Sequence, residues 1–132
     1  MNLVDSSGWL EYLSDGPNAG FFEKPLSAPD KLIVPTLCLF EVFKVVLRER
    51  GENDAIQAAA LMQQGRISDL SALIALTAAR LSLDRKIPMA DSIIAATASF
   101  FGATVWTQDD DFKDLTGVKY IPKKKKSRRL AP

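Results

Sequence analysis

The chain has 132 residues, 47% hydrophobic and 25% charged, the size and balance of one soluble domain with a single core. It contains no histidine and one cysteine, Cys38, which excludes His-based triads, HExxH zinc sites, Cys/His zinc clusters and an internal disulfide. The net charge of +1 hides a division: residues 123–132, KKKKSRRLAP, hold six of the 17 basic residues and no acid, leaving 11 basic against 16 acidic residues, or −5, for the rest.

Met1-Asn2-Leu3-Val4 is β-prone and is followed at once by Asp5, unlike a secretory signal. Asp5, Ser6 and Ser7 all suit a helix N-cap, and Trp9, Leu10 and Leu13 predict a first helix. Asp15-Gly16-Pro17-Asn18 breaks it, and a loop or short helix with Phe21 and Phe22 runs to Pro25–Pro29. Leu32-Ile33-Val34 reads as a buried strand closed by Pro35. Thr36 then caps a helix over Leu37–Arg50, ended by Gly51. Asn53 or Asp54 starts another over Ala55–Gln64, ended by Gly65, with a short strand in 66–70. Ser71–Arg85 is a helix rich in Ala and Leu. Pro88 separates it from Ala90–Phe101, which Gly102 stops. Ala103–Trp106 and Val118–Ile121 are strands, with a short helix over Phe112–Leu115 between them.

Short apolar strands alternating with helices predict an α/β domain: a mainly parallel central sheet of four to five short strands flanked by helices, an α/β/α sandwich over residues 1–122. Residues 123–132 read as a basic, disordered tail, or as a phosphate-attracting one. The longest uncharged run, Ser92–Gln108, includes Ser, Thr and Gly and falls short of the about 20 apolar residues that span a membrane. The lone cysteine suits a reducing compartment, so a cytoplasmic protein is expected.

Without histidine, and with neither a GxxxxGK[ST] nor a GxGxxG loop, chemistry falls to carboxylates, hydroxyls, lysine or arginine. In an open parallel sheet, ligands bind beyond the carboxyl ends of the strands. Asp5 follows the first strand, Asp109 follows the strand ending near Thr107, and the helix bearing Glu41 starts at the same edge. Each acid has two readings. Asp5 caps a helix or faces that edge. Asp91 opens the ADSIIAATASFF helix, where a carboxylate suits the dipole, or serves the site. Glu41 interrupts LCLFEVFKVVL, a helix expected to be largely buried, where a carboxylate needs a partner or a metal. Lys44 and Arg48 offer the alternative of a surface stripe. In TQDDDF, one aspartate caps the short helix and two remain. Several oxygen donors at one sheet edge suit Mg²⁺ or Mn²⁺.

Four motifs together resemble the PIN-domain nucleases, most closely the VapC-type toxins of type II toxin–antitoxin pairs. They are LVDSSGWLEYL, the lone Glu41, IPMADSIIAATASFFGATVWTQDDDF and LTGVKYI, covering Met1 to about Ile121. The resemblance puts the acidic, catalytic and metal-binding set on Asp5, Glu41, Asp91 and Asp109. Ser6, Thr107 and Asp111 orient the carboxylates or water, and Asp110 is surface or cap. It implies Mg²⁺- or Mn²⁺-dependent hydrolysis of RNA phosphodiester bonds, carboxylates that titrate together with at least one raised pKa, a homodimer and a cognate antitoxin. Phe21-Phe22, Phe40–Leu47 and Ala95, Ala96 and Ala98 could meet such a partner, or simply be core. The basic tail lies outside the family pattern. Two other readings compete. A phosphoacceptor signalling domain would use Thr107, although only a single acid follows the first strand. A catalytically silent module would bind a partner or RNA only.

Overall fold

Apolar triplets and quartets that bury both faces have one stable arrangement, a parallel sheet covered by helices. A computed structural model describes residues 1–125 and contains that sheet. Its strands are β1 (Asn2–Val4), β2 (Leu32–Pro35), β3 (Arg66–Ser68), β4 (Thr104–Thr107) and β5 (Val118–Tyr120). All five pair in parallel, in the order β3-β2-β1-β4-β5. The helices are α1 (Ser6–Leu13), α2 (Ala19–Leu26), α3 (Thr36–Arg50), α4 (Glu52–Met62), α5 (Ala72–Arg85) and α6 (Met89–Phe101). No helix among the described residues is long and apolar enough to cross a membrane. The tail expected over 123–132 lies outside the described residues beyond Lys125.

The chain leaves β1 for β2 and β3 on one side, then returns to lay β4 and β5 on the other. The carboxyl ends of β1 and β4 therefore adjoin at the switch in strand order, where a crevice opens in such sheets. Val4 lies opposite Trp106, and the Asp5 amide donates to the Trp106 carbonyl at 3.2 Å. Residues 5 and 107–109 thus emerge side by side.

Local signals set most boundaries. Ser71 caps α5 by accepting from the Ile74 amide, and Gly102, with φ 63°, ends α6 in the left-handed conformation glycine tolerates. Two starts differ from expectation. Pro35 rather than Thr36 precedes α3, because proline's fixed φ serves there without a side-chain bond. Gly51 both ends α3 and opens α4, so α4 begins at Glu52 rather than at Ala55. The helix expected over Phe112–Leu115 is a single 3-10 turn, Asp110–Phe112, whose Phe112 is fully buried and holds it to the core. Phe22, Ala96 and Ala98 are core as well, whereas Phe40 is 62% exposed. Apolar residues do surround α3, but only the face of Cys38, Val42 and Val46 is buried. The largely buried helix that the sequence suggested is therefore half exposed.

Gly8 lets α1 pack close. A Cβ there would meet Phe22 Cε1 and Val4 Cγ1 at 2.6 Å, both in the core. Gly8→Ala should therefore cost about 1–3 kcal/mol, a Tm drop of about 5–15 °C in a thermal melt. An unchanged Tm would show that Phe22 repacks freely.

Candidate metal centre

Asp5 ends β1 and is 2% exposed. Its Oδ1 accepts from the Gly8 amide at 2.9 Å, which caps α1, and from Ser7 Oγ at 2.8 Å. Its Oδ2 accepts from Thr107 Oγ1 at 2.6 Å and from Ser7 Oγ at 3.0 Å. Capping and site-facing are thus compatible, since a carboxylate has lone pairs for both. Burial pushes its carboxyl up to about 6 against these donors, with the Asp109 charge adding to the rise.

Asp91 sits in the first turn of α6, half-buried. Burial, then the charge of Asp109 and the carboxylate of Asp111 beside it, push it up to about 8. Asp109 caps the 3-10 turn, its Oδ1 accepting from the Asp111 amide at 2.9 Å, while its own amide donates to Thr107 Oγ1 at 2.9 Å. The capping aspartate of the triplet is therefore Asp109 itself; Asp110 is exposed. One oxygen from each of Asp91, Asp109 and Asp111 lies within 4.8 Å of the others.

Glu41, on α3, accepts from Ser6 Oγ at 2.6 Å. The Lys44 and Arg48 row does not serve it: Lys44 lies over the Phe40 ring and Arg48 pairs with Glu49. The Cys38 thiol, buried beneath, feels both Asp5 and Glu41, and burial raises its pKa far above the usual range. Asp5, Asp91, Asp109 and Asp111 thus share one electrostatic neighbourhood, with Glu41 joined to it through Ser6 and Cys38. Sequence reasoning missed Ser7, whose hydroxyl serves both oxygens of Asp5. Its position two residues after a capping aspartate was the available signal.

The only salt bridge among the described residues is Arg48–Glu49, so no described lysine or arginine forms an ion pair with this cluster. Clustered carboxylates with all-oxygen donors and no such ion pair fit a hard divalent cation. Thr107, fully buried, links Asp5 to Asp109. Thr107→Val keeps the shape and removes both bonds. It should cost about 1–3 kcal/mol of stability and about 10–100-fold in Mn²⁺ affinity, with Thr107→Ser restoring most of the latter in a Mn²⁺ titration. Equal affinity in wild type and Thr107→Val would remove the threonine from the site.

No curated protein matches the sequence significantly. Among solved structures, a toxin–antitoxin complex from Klebsiella pneumoniae is 23% identical, covering 90% of this chain and 96% of that one, with a TM-score of 0.75. VapC20 of Mycobacterium tuberculosis, described as a sarcin-ricin loop cleaving toxin, is 19% identical over 89% of this chain and 97% of its own, also at 0.75. VapBC2 from Rickettsia felis, bound to a promoter DNA fragment, is 18% identical over 92% and 97%, at 0.70. At these identities the likeness is one of fold. The PIN-domain family model, by contrast, matches residues 3–118, from the strand before Asp5 to the strand after the aspartate triplet, and the chain therefore belongs to the PIN-domain family of nucleases.

Proposed function

We propose that this protein is an endoribonuclease that hydrolyses RNA phosphodiester bonds with Mg²⁺ or Mn²⁺, and the toxin of a toxin–antitoxin pair. The observation that carries the reading is the convergence of Asp91, Asp109 and Asp111 within 4.8 Å, with Asp5 alongside and no ion pair to them among the described residues. Solved structures of the same fold include a toxin described as cleaving the sarcin-ricin loop and several toxin–antitoxin complexes, which support the substrate and the partner.

Asp91, Asp109 and Asp111 would hold the cation, with Asp5 and Glu41 completing the acidic set. A divalent cation bound there supplies positive charge to the scissile phosphate and acidifies an attacking water. The chain does the positioning. Three donor groups lock Asp5, Thr107 ties it to Asp109, and Ser6 aims Glu41. Without the cation, the same carboxylates repel the polyanionic substrate, which makes cleavage strictly metal-dependent.

The phosphoacceptor alternative has less support. The carboxylate that follows β1 is Asp5, which is 2% exposed and held by three donor groups, so a phosphodonor has little access to it. Two surfaces suit partners. A groove of about 670 Å³ between α1, α3 and α4, lined by Leu10, Leu13, Val46 and Leu61, suits an amphipathic antitoxin segment. The exposed Leu73, Leu76 and Leu83 of α5 suit a homodimer.

The test is cleavage of ribosomal RNA by the purified protein. Cleavage is expected with Mg²⁺ or Mn²⁺, to vanish in EDTA, and to return with excess Mn²⁺. Cleavage that persists in EDTA overturns the metal-dependent reading, and the absence of both cleavage and saturable Mn²⁺ binding favours a silent module.

A further inference from the structure

Among the described residues only two aromatic rings are exposed, Phe40 and Phe100. Phe100 stands at the last turn of α6, at the opposite end of that helix from Asp91. Phe40 stands beside the acids.

Its placement follows from α3. The helix starts at Thr36, directly beyond β2, so Phe40 lies about 6 Å along its axis from the sheet edge where the carboxylates gather. The next residue, Glu41, accepts from Ser6 Oγ at 2.6 Å, and Ser6 follows Asp5 in the chain. Lys44 is four residues after Phe40 and three after Glu41, so it shares a side of the helix with both. Its ammonium forms no ion pair with Glu41; it lies 5.7 Å from the centroid of the Phe40 ring.

An exposed aromatic face with a cation beside it matches the two parts of a nucleotide. A base has a π-face that stacks on the ring, and the phosphate carries the charge that the ammonium attracts. A second copy of the chain would also cover the ring, since Leu47, seven residues on and 42% exposed, extends an apolar stripe along this side of α3. Lys44 stands within that stripe, and lysine is depleted at the centre of protein interfaces. A polyanion, by contrast, needs positive charge to approach a body of net −5. The charge therefore favours RNA.

We propose that Phe40 and Lys44 form a nucleotide platform beside Glu41. The ring stacks an unpaired base of single-stranded RNA, and the ammonium holds the neighbouring phosphate. The inference rests on the ribonuclease reading above and adds to it a pair of residues that seats substrate next to the acidic centre.

The test uses the full chain. Trp9 and Trp106 are 1% and 8% exposed, so the exposed indole of a Phe40→Trp variant would dominate any fluorescence change that RNA causes. Titrating that variant in EDTA with a 12-nucleotide single-stranded RNA of mixed sequence should quench its emission saturably, whereas inorganic polyphosphate should not. Phe40→Ala, at an exposed position, should keep the wild-type Tm and raise the KM for ribosomal RNA about 5- to 100-fold. Lys44→Gln should lower the slope of log RNA affinity against log salt by about 0.7, the share of one phosphate contact on a single strand. Leu47→Ala should change neither quantity. No quenching by RNA, with an unaltered KM in Phe40→Ala, overturns the platform and leaves the nuclease intact. Weaker self-association of both Phe40→Ala and Leu47→Ala in sedimentation, with RNA affinity retained, overturns it in favour of a contact between copies. Saturable quenching in a protein that cleaves no RNA supports the platform and sinks the nuclease reading instead.

Discussion

Asp91→Asn should abolish metal-dependent RNA cleavage and yet make the metal-free protein more stable at pH 8. The two effects have one cause. Asp91 lies with Asp109 and Asp111 within 4.8 Å, half-buried and without an ion pair among the described residues. Burial and those two neighbours disfavour its ionised form enough to push it up to about 8, despite a first-turn position where the helix dipole favours a carboxylate by about 0.3–1 kcal/mol. Repulsion and desolvation therefore outweigh the dipole. Asparagine removes the charge, retains hydrogen-bonding capacity and relieves Asp109 and Asp111. It also removes one of the three oxygen donors proposed to hold the cation. Losing a residue that merely orients a metal ligand costs about 10–100-fold, so loss of a ligand should exceed about 100-fold in cleavage rate at saturating Mn²⁺. The checks are that rate and a urea midpoint in EDTA at pH 8. Cleavage within a few-fold of wild type would remove Asp91 from the chemistry. A lower urea midpoint would mean that the carboxylate stabilises the fold.

The second large effect is a reversal of stability with pH. Asp5 and Asp91 have folded-state values of about 6 and about 8, both raised from 3.8. Between about pH 4 and pH 8 the folded protein therefore binds more protons than the unfolded chain, and stability falls as pH rises. The stabilising contribution of each group is fully present below about 3.8 and is lost as pH climbs through its folded value. In EDTA, the Tm contribution of this site should thus decline from pH 5 to pH 8. Cation binding runs the other way, because its carboxylates must be deprotonated. At a Mn²⁺ concentration of 100 times Kd the added stability is about 2.7 kcal/mol. The Tm gain from Mn²⁺ should therefore be clearly larger at pH 8 than at pH 5. Equal gains at both pH values, or none, would mean that the acids do not bind the ion together.

Much of this was legible in advance because it is local. The Asp5 cap, the Ser71 cap, the break at Pro88 and the stop at Gly102 depend on a few neighbouring residues, and each helix ends where those residues dictate. The acidic set could also be named, since a carboxylate after a strand or in a first turn is a pattern in the chain. The division of labour could not. Asp109 caps the turn expected of a neighbour because the buried Phe112 starts that turn two residues earlier than its sequence suggests. Glu41 was expected in a buried helix and lies on a half-exposed one, because only the neighbouring elements decide how much of an apolar surface is covered.

By itself, the sequence determined that this protein alternates strands and helices, lacks imidazole chemistry and offers oxygen donors at successive strand ends. Only the tertiary structure decided that β1 neighbours β4, that Thr107 reaches Asp5 across 102 positions, and that β5 lies beside β4 with Tyr120 opposite Thr107. The physical reason is range. Caps and breaks are settled by bonds within one turn of chain, whereas strand order, burial and the repulsion among distant carboxylates exist only after the whole core has closed around them.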